Sequence, residues 1–332
     1  MDFDNGLIHQ EGRLTINNFL PEIGKDQLRN NIIAGLEKNP KMISSMFFYD
    51  ERGSEIYEEI THLPEYYPPR LERTLIFKSA DYLKDSLQDH DIIELGSGDC
   101  SKISIFLDSL SESDISSIRY VPVDFSQSAI VKSAEMLVEK YHGIKVLGIV
   151  GDFLSHLETI PNGKERLFIF FGSTIGNLEV EDARRFFKDL YETMGPGDRM
   201  LIGMDMVKDK EVLEKAYNDS QGVTADFNRN IINVVNRLLD TTMDPNDFEH
   251  VAFFNEEKSR IEMHLQAGKE HFLEIPGREP IWIREGELIH TESSHKFTND
   301  DIERMMDEAG LVIEKIFTDE DRWFSLILLG KQ

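Results

Sequence analysis

Glu94-Leu95-Gly96-Ser97-Gly98-Asp99 places two glycines and two carboxylates where an apolar run, Asp91–Leu95, gives way to a helix-length stretch. Glycines at such a turn let the backbone approach a bound molecule more closely than any residue with a Cβ allows. Two further carboxylates follow runs of the same kind. Asp124 ends Arg119–Asp124, where it can accept from both hydroxyls of a ribose. Gly151-Asp152-Phe153 follows Ile144–Val150, where an acid can accept from an adenine amino group beside a stacking ring. A dinucleotide fingerprint would need a third glycine at position 101, which is Ser101, so a nicotinamide or flavin loses its clearest support. Acids after three successive strands, without a basic cluster to grip phosphate, suit a nucleoside that carries a cation. S-adenosylmethionine is such a ligand. Taken singly, Asp124 and Asp152 read as helix N-caps; taken with the glycine turn, and with Glu94 nearby, they read as ligand contacts.

The elements that must hold these residues are legible from about residue 91. Arg166–Phe171 and Arg199–Met204 complete five candidate strands. Lys102–Leu110, Gln127–Tyr141 and Glu181–Met194 are the helices between them, the last closed by Gly195-Pro196-Gly197. This is the order of a doubly wound α/β sheet. The alternation then breaks. Residues 206–245 read as helices, with Ile231, Ile232, Val234, Val235, Leu238 and Leu239 at helical spacing, and 250–295 read as short strands punctuated by Gly268, Pro276-Gly277 and Gly286. Thr298-Asn299-Asp300-Asp301 opens a helix over Ile302–Ala309, which Gly310 ends, and Val312–Phe317 with Trp323–Leu329 reads as a hairpin on the edge of the earlier sheet. A second architecture is therefore expected inside the α/β domain.

In 332 residues, 36 Lys and Arg face 62 Asp and Glu, a net charge of −26. So acidic a surface repels phosphate backbones and anionic lipid, and neither nucleic acid nor membrane is an expected partner. With 40% hydrophobic and 10% aromatic residues the chain can still bury a core. No run approaches the roughly 18 apolar residues of a membrane span, and MDFDNGLIHQEGRL has neither a basic nor an apolar leader region, so a cytoplasmic location is expected. The single cysteine, Cys100, excludes an internal disulfide. The ten histidines contain no HExxH, and His290 and His295 are spaced for neither helical nor strand ligation, so no metal is expected.

Five segments carry a closer likeness: Tyr49-Asp50-Glu51-Arg52-Gly53-Ser54; Ile60-Thr61-His62-Leu63-Pro64-Glu65-Tyr66-Tyr67-Pro68-Pro69-Arg70; Phe171-Gly172-Ser173-Thr174-Ile175-Gly176-Asn177; Ala216-Tyr217-Asn218-Asp219 with Gly222-Val223-Thr224-Ala225-Asp226-Phe227-Asn228; and Thr291-Glu292-Ser293-Ser294-His295-Lys296-Phe297. In this order they resemble the histidine-specific Nα-methyltransferases of ergothioneine biosynthesis and their relatives that methylate other amino acids. The likeness covers most of the chain from about Phe47. It implies a Rossmann-like class I methyltransferase domain over 71–205 plus 296–332, with an inserted α+β substrate domain over 10–70 plus 206–295, working as a monomer. It also implies S-adenosylmethionine-dependent trimethylation of the α-amino group of free L-histidine to hercynine.

Carried over by position, Tyr49, Gly96, Lys102, Asp124, Asp152 and Phe153 are the expected cofactor contacts. Asn177 is the expected partner of the amino group, Tyr66 and Tyr217 of the carboxylate, Glu292 and Ser294 of the imidazole, and Met263 packs beside the ring. Two departures stand out. Cys100 follows Gly98-Asp99 and reads as a small packing residue, although a thiol at a helix N-terminus can have a lowered pKa. Tyr67-Pro68-Pro69-Arg70 replaces the usual Tyr-Pro-Thr-Arg, which reads as an altered turn away from the ligand.

Methyl transfer from a sulfonium is an in-line displacement, so the main work is to hold nitrogen, methyl carbon and sulfur collinear. A neutral amide such as Asn177 accepts from an unprotonated amine without favouring the ammonium, as a carboxylate would. Tyr49 or a water relay would take the proton. Glu292 and Ser294 together specify a ring with two polar nitrogens, and an indole would leave Ser294 poorly matched. Phe48 or Tyr49 is the expected aromatic wall for the growing quaternary cation. Two other readings stay open: the same chemistry on another amino acid or histidine derivative, and a non-catalytic nucleoside or imidazole sensor, against which retention of both sites argues.

Overall fold

The structure is a computed structural model and describes residues 6–20 and 24–331. In chain order its strands are β1 (Leu7–Glu11), β2 (Leu14–Asn18), β3 (Lys41–Met42), β4 (Asp91–Leu95), β5 (Arg119–Asp124), β6 (Lys145–Val150), β7 (Arg166–Phe170), β8 (Arg199–Asp205), β9 (Phe248–Asn255), β10 (Arg260–Ala267), β11 (His271–Leu273), β12 (Ile281–Ile283), β13 (Leu288–His295), β14 (Leu311–Thr318) and β15 (Phe324–Lys331). Its α-helices are α1 (Lys25–Leu36), α2 (Glu51–Thr61), α3 (Pro68–Leu83), α4 (Ser101–Leu107), α5 (Glu112–Ser117), α6 (Gln127–Lys140), α7 (Val180–Thr193), α8 (Lys210–Tyr217), α9 (Val223–Leu239) and α10 (Asn299–Ala309). Two compact units result. The described residues 6–20, 70–206 and 297–331 form the first, and 24–69 with 207–296 form the second.

The first unit is built on a nine-stranded sheet of order β1-β2-β6-β5-β4-β7-β8-β15-β14. From β2 to β8 neighbouring strands pair in parallel, while β1, β15 and β14 add antiparallel. Successive residues leave opposite faces. Ile92, Tyr120, Leu167 and Leu201 join one core with side chains of α3, α4 and α6; Ile93, Val121, Phe168 and Met200 join the other with α7 and α10. Both faces are thus covered, as a parallel sheet requires. Each fully buried aliphatic or aromatic side chain stabilises the fold by roughly 1.5–3 kcal/mol. Strand order reverses at β4, with β5 on one side and β7 on the other, the place where open α/β sheets bind ligands beyond their carboxyl ends.

The five strands read from the sequence are present, β4 and β5 with the same ends and the other three with one end moved by a residue, and α10 opens with the capping box of Thr298 and Asp301. α5 is additional, opened by a second capping box of Ser111 and Asp114. Residues 10–20 depart from the expectation that 10–70 go with the substrate domain. Leu14↔Val146 through Asn18↔Val150 pair β2 to β6, with Leu14 and Ile16 buried. Five residues of alternation name a strand but not the sheet it joins. The proline departure also differs from its reading: Pro68 and Pro69 open α3, where a missing N–H costs nothing.

The second unit carries a four-stranded sheet of order β3-β13-β10-β9 and a β11-β12 ribbon. α9 buries Ile231, Ile232, Val235 and Leu239, and Asp219 satisfies its first turn by accepting from the Val223 and Thr224 N–H groups at 2.9 and 2.7 Å. Between β10 and β13 the register runs Met263↔Glu292 and then His264↔His290, so Thr291 is an extra residue, a β-bulge. Its hydroxyl donates to Asn228 Oδ1 at 2.8 Å and the Asn228 amide donates to the His264 carbonyl at 2.9 Å, which pins the bulge to α9.

Candidate active site

In the first unit, Gly96 and Gly98 follow β4 with φ of +68° and +53°, a left-handed backbone that glycine adopts without strain. Asp124 does not cap α6. That role belongs to Ser126, which accepts from the Ala129 N–H. Asp124 instead accepts from the Gly98 and Ser126 N–H groups, both at 2.9 Å, and so ties the end of β5 to the glycine turn. Asp152 accepts from the Leu154 N–H at 2.9 Å and the Ser155 hydroxyl at 3.0 Å, a local turn rather than a helix cap. Carboxylate oxygens with one such bond each keep acceptor capacity for a ligand. Phe153 is half-buried, edge-on to Phe170 with centroids 5.0 Å apart. Gly96, Asp124, Asp152 and Phe153 therefore gather where strand order reverses, a donor and acceptor set that fits an adenosine carrying a cation.

Three neighbours behave differently. Glu94 is buried and accepts from the Tyr120 hydroxyl; burial pushes its carboxyl up to about 8 although that hydrogen bond works the other way, so its carboxyl is engaged within the core. Burial likewise pushes the Cys100 thiol up to about 12, with Glu94 adding to the shift, and the sulfur lies 3.4 Å from the Tyr120 hydroxyl. Cys100 is a packing residue. Lys102 pairs at 2.8 Å with Glu72, an acid only 1% exposed whose other oxygen accepts from the Gly172 N–H at 2.6 Å. That pairing competes with the expected contact from Lys102 to a cofactor. It also anchors the Phe171–Asn177 segment, in which the Ser173 hydroxyl oxygen accepts from the Asp205 N–H at 2.8 Å. Asn177 ends a 3-10 turn there, half-buried, with no hydrogen bond to its side chain among the described residues.

In the second unit, Asp50 caps α2 by accepting from the Gly53 N–H at 2.9 Å. Burial would raise its carboxyl, but the bonds from Gly53, Arg237 and Asn230 hold it below the usual range. Gly53 is required because a Cβ there would stand 1.7 Å from the Phe48 carbonyl oxygen. Phe48 is fully buried and stacked on Phe227 at 4.6 Å, so it is core and not the aromatic wall. Tyr49 exposes 47% of its surface and stands edge-on to Tyr57. Its hydroxyl is nevertheless surrounded by enough protein that burial, with Tyr57, Glu292 and Tyr217, raises its pKa well above the ordinary 10.0. That shift disfavours the phenolate that a base at this position would need.

Tyr66 and Tyr217 stand edge to face with centroids 5.9 Å apart. The Tyr217 hydroxyl donates to Ser294 Oγ at 2.9 Å. On β13, Glu292 and Ser294 share a face, and Met263 is the cross-strand partner of Glu292. The carboxyl of the half-buried Glu292 makes no hydrogen bond among the described residues; loss of water around it pushes it up to about 7, against the pull of Lys296. Lys296, in the Thr291–Phe297 segment, is buried and donates to both Ser294 and Tyr217. A cavity of about 380 Å³ elsewhere in this unit is lined by Asp219, Arg229, Glu249 and His250, and by none of the candidate residues.

A model of the family described as histidine-specific methyltransferase, SAM-dependent, matches residues 28–331. A histidine N-alpha-methyltransferase of Mycobacterium tuberculosis (strain CDC 1551 / Oshkosh) is 38% identical over 96% of this chain and 100% of that protein. Ergothioneine biosynthesis protein 1 of Neurospora crassa is 29% identical over 82% of this chain and 31% of its own length. An L-tryptophan methyltransferase of Psilocybe serbica is 27% identical over 91% of this chain and 92% of that protein.

Proposed function

The chain belongs to the histidine-specific, S-adenosylmethionine-dependent methyltransferase family, and from that premise we propose that it methylates the α-amino group of free L-histidine three times, giving hercynine on the way to ergothioneine. Its first unit is the Rossmann-like class I methyltransferase domain of such an enzyme. S-adenosylmethionine, when bound, supplies a methyl carbon on a sulfonium that departs as a thioether. The glycine turn, Asp124, Asp152 and Phe153 hold the nucleoside. The Asn177 amide oxygen accepts from the neutral amine and aims its lone pair. The Tyr66 hydroxyl donates to the substrate carboxylate, with Tyr217 beside it at that end of the site, and Glu292 accepts from the imidazole N–H while Ser294 serves the second nitrogen. The amine proton passes to water, since Tyr49 keeps its own. We take the working unit to be a single cytoplasmic chain.

The observation that carries the choice of acceptor is Glu292, a half-buried carboxylate without a hydrogen-bond donor among the described residues, on one strand face with the Ser294 hydroxyl. An indole offers one N–H and no acceptor, so tryptophan would leave Ser294 unmatched. Mass spectrometry of a reaction with histidine and S-adenosylmethionine tests the reading. Gains of one, two and three methyl groups on the α-nitrogen are expected. Methylation of the ring, a preference for tryptophan, or tight histidine binding without transfer would each overturn it.

A further inference from the structure

Lys296 follows Ser294 by two residues and Glu292 by four, and it continues their line just beyond β13. Its backbone N–H donates to the Ser259 carbonyl at 2.8 Å and its own carbonyl accepts from the Ser259 hydroxyl at 3.0 Å, so its position is fixed on both sides. The residue is 2% exposed. A buried ammonium is tolerated only where its protons find acceptors. The Lys296 ammonium donates to Ser294 Oγ at 2.8 Å and to the Tyr217 oxygen at 3.1 Å, and lies 5.0 Å from the centroid of the Tyr217 ring. One cation thus joins the residue proposed to read the ring with a tyrosine proposed to stand at the carboxylate end.

The direction of these bonds has a chemical result. Lysine can only donate, and Tyr217 also donates to Ser294 at 2.9 Å, so both lone pairs of the serine oxygen are in use. The Ser294 proton must then point away from both partners, and Ser294 faces a ligand as a donor only. Beside it, Glu292 offers an acceptor. We propose that Lys296 is a specificity-determining positioning residue, which fixes Ser294 as a donor and so restricts the site to a neutral ring with one acceptor nitrogen and one N–H, in a single tautomer. This rests on the reading that Glu292 and Ser294 meet the imidazole.

The test compares kcat/KM for L-histidine with that for β-pyrrolylalanine, which keeps an N–H and lacks the acceptor nitrogen, in the unaltered chain and in Lys296→Met. The unaltered chain should prefer histidine, and Lys296→Met should shrink that preference by about tenfold or more, with KM for S-adenosylmethionine moving less than about twofold. Should Lys296→Met not fold, Lys296→Gln, whose amide oxygen can draw the serine proton inward, must show the same collapse. Equal losses on both substrates would assign Lys296 a structural role and overturn the proposal, as would an unaltered chain indifferent to the two rings. An unaltered chain that transfers no methyl group to histidine counts against the functional reading itself; transfer with an unmoved preference counts against Lys296 alone.

Discussion

At the scale of single residues, the carboxyl of Glu292 sets an expected pH dependence. Burial has raised it from 4.5 to about 7, so the ionised form that accepts from an N–H is lost as pH falls through about 7 rather than through the ordinary glutamate range. Histidine's own ring titrates near ~6.5, so the informative comparison is with Glu292→Gln. The unaltered enzyme should lose kcat/KM for histidine on the acid side through Glu292 as well as through the substrate's own α-amine and ring; Glu292→Gln should keep only the substrate's steps and be slower at neutral pH by roughly tenfold to a hundredfold. Identical acid limbs in the two proteins would remove Glu292 from the ring end of the site. Burial acts on Tyr49 in the same upward direction, so its phenol keeps its proton and the phenolate that could accept one is scarcely populated.

At the scale of elements, the approach of α2 to the Phe48 backbone is the tightest constraint on the second unit's site residues. Gly53→Ala would place a methyl group 1.7 Å from the Phe48 carbonyl, and one of them has to move. A loss of about 1–3 kcal/mol is expected, seen as a lower melting temperature together with weaker histidine turnover, because Tyr49 adjoins the displaced turn. An unchanged melt would mean that the segment relaxes freely. The parallel strands were legible because burial on both faces writes continuous apolar runs, as in Asp91–Leu95 and Arg166–Phe170. β2 left no reading as a strand, since the five residues Leu14–Asn18 stand outside the strand–helix alternation that begins near residue 91 and say nothing about a neighbour. The Thr291 bulge left no mark, because an inserted residue changes register without changing composition. Lys296 could have been found by extending the Glu292, Ser294 spacing two residues further, but a lysine is ordinarily read as solvated. Glu72 escaped for the same reason, although it stands two residues beyond the Tyr-Tyr-Pro-Pro-Arg segment.

At the scale of the whole molecule, a net charge of −26 exceeds anything a sulfonium cofactor and a zwitterionic amino acid require. Most of it is solvated surface, where like charges repel over a distance that salt shortens from about 30 Å at 0.01 M to about 3 Å at 1 M. The melting temperature should therefore climb as salt is added, and a flat response across that range would show that repulsion does not limit stability. The strand order of the first unit also bears on how the chain reaches this state. β15 lies between β8 and β14 and pairs with β8 from Phe324↔Asp205 to Gly330↔Arg199, yet the whole 207–296 segment is synthesised between these two strands. During translation β8 must wait with an unpaired edge while a second unit takes shape, and that edge is a template for pairing with another nascent chain. Completion of the sheet is thus a long-range closure that waits on the last hairpin, the kind of pairing whose chain-entropy cost falls due before its contacts form.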